Sequence, residues 1–182
     1  MAWKKVWVES RYTPAKQIFL DNAKELGFAF HVSDPLLVEE YLPLGMYEIL
    51  IPKRGMEDIV LYRRALSCIL VYSFDSVVRP ASFLGRDHSS ITHSLKVFND
   101  ACDVKRLRPD LPNKLIDALL PIIEKLNARY PEPNSKSNPS LEQSNIFAKN
   151  YFEYGVSRGY LSEGDAAHLE LKRASLELPQ KT

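Results

Sequence analysis

Two stretches of helical periodicity, parted by a proline and a glycine, dominate the middle of this 182-residue chain. From Met56 onward, Ile59, Tyr62, Arg63, Leu66, Ile69, Leu70 and Phe74 form one long amphipathic stretch. The piece from Ser76 to Leu84 is short and broken by Pro80, whose ring removes a backbone donor and interrupts a helix. Gly85 then introduces a second helix from about Asp87 to Asp103, in which Ile91, Leu95, Phe98 and Cys102 recur at steps of 4, 3 and 4 and mark core positions. Asp87 stands at the N-cap position, with Ser89 and Ser90 in the first turn. A long helix, a short broken piece, a tight turn and a second long helix predict a mainly α fold.

The flanks are less uniform. Lys4 to Ser10 carries Val6, Trp7 and Val8 and reads as a short strand. Pro14 to Leu26 reads as a helix with Ala15, Ile18, Phe19, Ala23 and Leu26 at helical spacing and Gly27 as its stop. Phe28 to Val32 reads as a second strand, Ser33-Asp34-Pro35 as a helix start, and Tyr47 to Ile51 as a weakly alternating run ending at Pro52. The expectation for residues 1–52 is therefore a small βαβ-like or α+β segment. Residues 53–130 form a helix-turn-helix domain with an added helix, Leu111 to Tyr130, which Pro121 should kink or interrupt. Residues 131–140 hold no core-forming side chain and read as a linker. In 141–182 a helical pair is expected. Ser140 with Gln143, and Ser162 with Asp165, give capping-box starts ahead of Ile146, Phe147, Tyr151 and Tyr154, and of Ala166, Leu169 and Leu176.

Composition removes several functional classes. No run of 18 apolar residues exists, which excludes a helical membrane span, and the N-terminus lacks the apolar stretch of a signal peptide. Two cysteines, Cys68 and Cys102, cannot build a disulfide framework or a four-cysteine metal site, so a reduced, cytoplasmic protein is expected. The formal charge of +1 is an average. Residues 53–108 hold 10 basic and 6 acidic side chains, against 5 and 7 in 1–52 and 9 and 10 in 109–182. The basic centre is where a polyanion would feel attraction, because distant charges are screened.

That centre contains Phe83-Leu84-Gly85-Arg86-Asp87-His88-Ser89-Ser90-Ile91-Thr92-His93. A short helix, a glycine turn and a helix whose first turn is crowded with polar groups make a helix-turn-helix, in which the start of the second helix enters the major groove. The residue types suit that place. Arginine offers a fork to guanine or phosphate, aspartate accepts from the cytosine amino group, and serine and histidine donate to phosphates or base edges.

The run Gly85-Arg86-Asp87-His88-Ser89-Ser90-Ile91-x-His93 resembles the signature of the C-terminal duplex-DNA-binding domain of the bacterial replication initiator DnaA, over about residues 56–103. The resemblance implies base reading by Arg86, Asp87, His88 and Ser89, phosphate contacts by Ser90 and His93, and a minor-groove arginine near Arg63 or Arg64, although that spacing is a few residues shorter here. Lys96, within one turn of His93, joins these as a DNA-binding candidate. Two departures stand out: Arg79 and Pro80 replace an Ile-Gly pair, and Ser89 lacks the methyl of the usual threonine, a loss worth about 1 kcal/mol of base preference. The chain also has no Gly-x-x-x-x-Gly-Lys-(Ser/Thr) phosphate loop, so the resemblance implies DNA reading without the initiator's ATPase.

Other chemistries compete poorly. His88 and His93 are five residues apart, about 140° around a helix, whereas a shared metal ion prefers i and i+4. Cys68 lies on an apolar face as a core thiol. Lys105-Arg106-x-Arg108 reads equally as a solvated helix end or a phosphate clamp. The expected function is sequence-specific binding of double-stranded DNA without enzymatic activity or cofactor, near the nucleoid, regulating replication or transcription in a bacterium, phage or mobile element. Residues 1–52 and 141–182 would serve a protein partner or self-association. The alternative is an adaptor that kept the helical fold and lost DNA reading.

Overall fold

The computed structural model describes residues 2–32, 35–50 and 56–130, together with the isolated positions 153, 164 and 167. Six α-helices and one 3-10 helix account for most of these residues: α1 (Ala2–Glu25), a 3-10 helix (Pro35–Tyr41), α2 (Met46–Leu50), α3 (Glu57–Phe74), α4 (Val78–Phe83), α5 (His88–Leu107) and α6 (Lys114–Arg129). The mainly α class expected from the sequence is observed. No strand occurs among the described residues.

The N-terminal α+β expectation is overturned. Lys4 to Ser10, read as a strand, is helical, because α1 runs unbroken from Ala2 and takes Pro14 into its interior rather than starting there. Phe28 to Val32 is irregular chain, not a strand. Its apolar residues Phe28, Phe30 and Val32 are buried as individual plugs, and its polar backbone is bonded by side chains. Val32 N–H donates to Ser73 Oγ at 3.2 Å, Ala29 N–H to Asn127 Oδ1 at 3.1 Å, and Tyr72 Oη donates to the Phe28 carbonyl at 2.7 Å. Side chains thus satisfy the groups that a neighbouring strand would have bonded. Tyr47 to Ile51 reads as an alternating run, yet Met46–Leu50 is a helical turn that buries Met46, Ile49 and Leu50. The linker over 131–140 and most of the helical pair predicted beyond it lie outside the described residues.

The same chain-reversing device ends two helices. After α1, Gly27 has φ 86° and the Phe28 and Gly27 N–H groups donate back to the Ala23 and Lys24 carbonyls, both at 3.0 Å. After α4, Gly85 has φ 59°, and the Arg86 and Gly85 N–H groups donate to the Ala81 and Ser82 carbonyls at 2.9 and 3.2 Å. This six-residue closure, the Schellman motif, needs a left-handed residue that glycine adopts without steric cost. Asp75, which ends α3, takes φ 46° with a side chain present, and Lys16 of α1 holds it by its carboxylate at 2.9 Å and its carbonyl at 3.1 Å. At the start of α6, Asn113 Oδ1 accepts from the Leu115 and Ile116 N–H groups at 3.2 Å, while Asn113 N–H donates to Asp117 at 2.8 Å. This reciprocal cap starts the helix at Lys114, three residues after the Leu111 start expected from apolar spacing. Pro121 lies inside the helix and does not interrupt it.

One continuous core runs from Phe19 to Leu126. Phe98 of α5 joins its parts, edge-on to Phe19 of α1 at 5.2 Å and to Phe28 at 6.2 Å between ring centroids. The expected core positions Ile91, Leu95, Phe98 and Cys102 are all buried. α5 is thereby pressed against α1, α3, α4 and α6. Its remaining face is the one left for solvent.

Candidate nucleic-acid interface

The turn that precedes α5 is fixed by backbone geometry. Because Arg86 is the closing residue of the Schellman motif after α4, its main chain is bonded to Ala81, and the chain enters α5 with Asp87 in extended conformation (φ −73°, ψ 150°) as N-cap. The Asp87 carboxylate makes no cap hydrogen bond, contrary to the capping role expected for it; the Ser90 and Ile91 N–H groups bond the Asp87 carbonyl instead, at 2.9 and 3.4 Å. Its side chain is exposed, and so are those of Ser89 and Ser90.

From there the exposed face is a single stripe. Ser89, His93, Lys96, Asp100 and Asp103 follow at steps of 4, 3, 4 and 3, and every one is exposed. Its chemistry changes along the helix. The first half carries hydroxyl, imidazole and ammonium groups, and the second half carries two carboxylates. The helix dipole adds positive potential at the N-terminal half, where, among the described residues, Asp87 is the one exposed carboxylate beside these groups. Ser89, His93 and Lys96 make no hydrogen bond or ion pair with any described residue. In contrast, Ser94, at the buried flank, donates to the Ser90 carbonyl at 3.0 Å.

The structure brings Arg86, Asp87, His88, Ser89, Ser90, His93 and Lys96 together on the turn and first half of α5. Arg63 and Arg64, expected as minor-groove contacts, are on α3, both half-buried. The Arg63 Nε–H donates to the Ile49 carbonyl of α2 at 2.7 Å, and burial, with the nearby Arg86 charge, pulls its guanidinium down to about 10. Arg63 thus stands close to the turn but is engaged with the protein.

Much of the basic island is spent internally. Arg106 reaches Glu25 of α1 at 2.5 Å, Asp103 at 2.7 Å and Asn22, and its hydrogen bond holds the Glu25 carboxyl below the usual range. Lys105 donates to the Leu111 carbonyl at 3.4 Å, and the Arg79 guanidinium lies 5.9 Å from the Phe74 ring centre. Of the two readings of Lys105-Arg106-x-Arg108, these bonds support neither a solvated end nor a free clamp for Arg106: it ties α5 to α1. The buried pair Asn22–Asn99, bonded at 2.9 Å, belongs to the same seam. No charge or spacing rule in the sequence pairs positions 77 or 81 residues apart, so both contacts are invisible there.

Burial pushes the Cys68 thiol far up and the Cys102 thiol up to about 11, consistent with core thiols rather than nucleophiles. Among the described residues, no three His, Cys, Asp or Glu side chains gather as a metal site, and no helix is long and apolar enough to cross a membrane. A half-open hollow of about 220 Å³ between α1, α5 and α6 is lined by Glu25, Cys102, Lys105 and Arg106, the residues of the α1–α5 seam. Compared with protein-family models, with curated proteins and with solved structures, the chain has no match.

Proposed function

We propose that this chain binds double-stranded DNA sequence-specifically through the turn Gly85–Asp87 and the first half of α5, and that it does so without catalysis or cofactor. The single observation that carries the reading is the exposed set Asp87, Ser89, Ser90, His93 and Lys96, projecting after a short helix and a glycine-closed turn. Of that set, Ser89, His93 and Lys96 make no hydrogen bond or ion pair with any described residue and are left for another molecule. In this reading Arg86, Asp87 and Ser89 face base edges and Ser90, His93 and Lys96 face phosphates, while His88, expected among the base readers, is half-buried with its Nε2 atom enclosed. The binding would regulate replication or transcription in a bacterium, phage or mobile element, in the cytoplasm near the nucleoid.

The test is fluorescence anisotropy on a duplex carrying the replication-initiator box against a scrambled duplex. Preference for the box, with affinity falling steeply as salt rises, supports the reading. Equal or absent binding to both duplexes at low salt rejects it. Arg86→Ala should cost about 1–3 kcal/mol and relax the sequence preference, whereas His93→Ala should weaken all duplexes alike. One observation favours the adaptor reading instead: Arg63 and Arg106 are committed to intramolecular bonds, which lowers the positive field available to DNA. Under that reading neither duplex binds and the exposed stripe of α5 meets a protein.

A further inference from the structure

The exposed stripe of α5 is symmetric in position and opposite in charge about the level of residue 98. Lys96 and Asp100 lie two residues to either side of it, His93 and Asp103 five, and Ser89 and Leu107 nine. At 100° per residue His93, Lys96, Asp100, Val104 and Leu107 fall within about 80° of arc, so they share one face. All of them are exposed. Lys96 and Asp100 make no hydrogen bond or ion pair with each other or with any other described residue, whereas Asp103 also holds Arg106 at 2.7 Å. The face ends on open apolar surface: Leu107 is 81% exposed and Val104 45%.

A row of this kind fits its own reverse. When a second copy is turned end over end about a twofold axis at residue 98, Lys96 of each copy stands level with Asp100 of the other. The His93 imidazole then meets the Asp103 carboxylate, and Leu107 lies over Ser89 in the first turn of the other helix. Each match occurs twice, once on either side of the axis. Two copies aligned in the same direction would instead set Lys96 against Lys96 and Asp100 against Asp100, which repels. Twofold pairing is the commonest symmetry of soluble oligomers, because one patch serves both sides. The area sets the strength. α5 has 20 residues and is about 30 Å long, so a strip about 10 Å wide gives about 300 Å² per copy, against about 800 Å² for a standard interface. The pairing is therefore weak, and it falls with salt.

We infer that the exposed face of α5 pairs antiparallel with the same face of a second copy, in a weak dimer that occupies the surface proposed for DNA. The pairing stands on the charge pattern; its consequence, that dimer and duplex exclude one another, rests on the proposed DNA reading. Ser89, His93 and Lys96 are the groups that both occupants need. At high concentration free chains cover one another's α5, and a duplex is bound only by chains that have parted, which lowers the apparent affinity by the fraction paired.

Sedimentation equilibrium of the full chain over a range of concentrations tests the pairing without DNA. A reversible monomer–dimer equilibrium that moves toward monomer as salt rises is expected, and a chain that stays monomeric at millimolar concentration and low salt overturns the proposal. Lys96→Asp and Asp100→Lys should each weaken association about tenfold, since each sets like charges against one another on both sides of the axis. The double swap Lys96→Asp/Asp100→Lys should restore it, because the row is then again its own complement in the antiparallel register. A dimer indifferent to the single reversals, or a double swap that fails to restore association, overturns the proposal. Both positions are exposed, so unchanged melting curves are expected for all three variants. Adding a duplex with one box should part the dimer into duplex-bound chains, and a duplex carried by an intact dimer overturns the exclusion. If no duplex is bound while the double swap restores association, the DNA reading fails and the pairing stands.

Discussion

The two ends of α5 use similar residues in opposite ways. At its C-terminal end Arg106 turns inward to Glu25, Asp103 and Asn22, and Lys105 to a loop carbonyl. At its N-terminal end Ser89, His93 and Lys96 project into solvent with no described residue to meet them. One helix is thus a structural strut over its last turns and a presented surface over its first. The contrast separates charge that organises the fold from charge left available for a ligand, a distinction that a count of lysines and arginines erases.

Substitutions at the two ends, and in the core between them, should separate along the same line. The largest loss is expected at the middle. Phe98→Ala removes the ring against which Phe19 and Phe28 pack and should cost about 3–5 kcal/mol in urea unfolding. Next comes the α1–α5 seam: Asn99→Leu leaves the Asn22 amide buried without its partner and should cost about 1–3 kcal/mol, whereas the same change at exposed Lys96 should leave stability unaltered. Gly85→Ala forces a side chain into the left-handed region at the mouth of the presented surface and should cost about 1–2 kcal/mol, with a matching loss at Gly27. A much smaller penalty at Gly85 would mean that the turn is not held by its Schellman closure. The smallest effect is on pH dependence. The Glu25 carboxyl is held low by Arg106, so the pair's stabilisation is present above the ordinary glutamate range and is lost as pH falls through the lowered value. Arg106→Ala should flatten that acid limb of the melting curve, while His93→Ala should leave it as it is.

How much of this is legible in the sequence depends on range. The helices α3 and α5, the core positions of α5, the glycine stop at 27 and the glycine turn at 85 are local matters of periodicity and backbone freedom, and the chain spells them out. The N-terminal strands are a false expectation because Val6-Trp7-Val8 and Phe28 to Val32 carry β-forming residue types, and short apolar runs do not distinguish a strand from a helix or from irregular plugs. What decides them is a partner elsewhere: for the first, a 24-residue helix that packs on α5, and for the second, the side chains of Ser73, Tyr72 and Asn127. The candidate site is legible as a motif at 85–93, but its accessibility is not. That the His88 Nε2 atom is enclosed while His93 is open is a matter of tertiary packing, and the bonds of Arg63 to Ile49 and of Arg106 to Asn22 join residues 14 and 84 positions apart.

The pairing of α1 with α5 also sets an order of events during synthesis. α1 leaves the ribosome well before the side chains that receive it, Phe98, Asn99 and Arg106, which are made about 80 residues later. A lone helix of this kind has marginal stability in water, and at about 5–20 residues per second it waits several seconds for its partner. During that interval Phe19 and Ala23 are uncovered, and the presented surface of α5 does not yet exist. The α1–α5 seam therefore closes only after α5 has emerged.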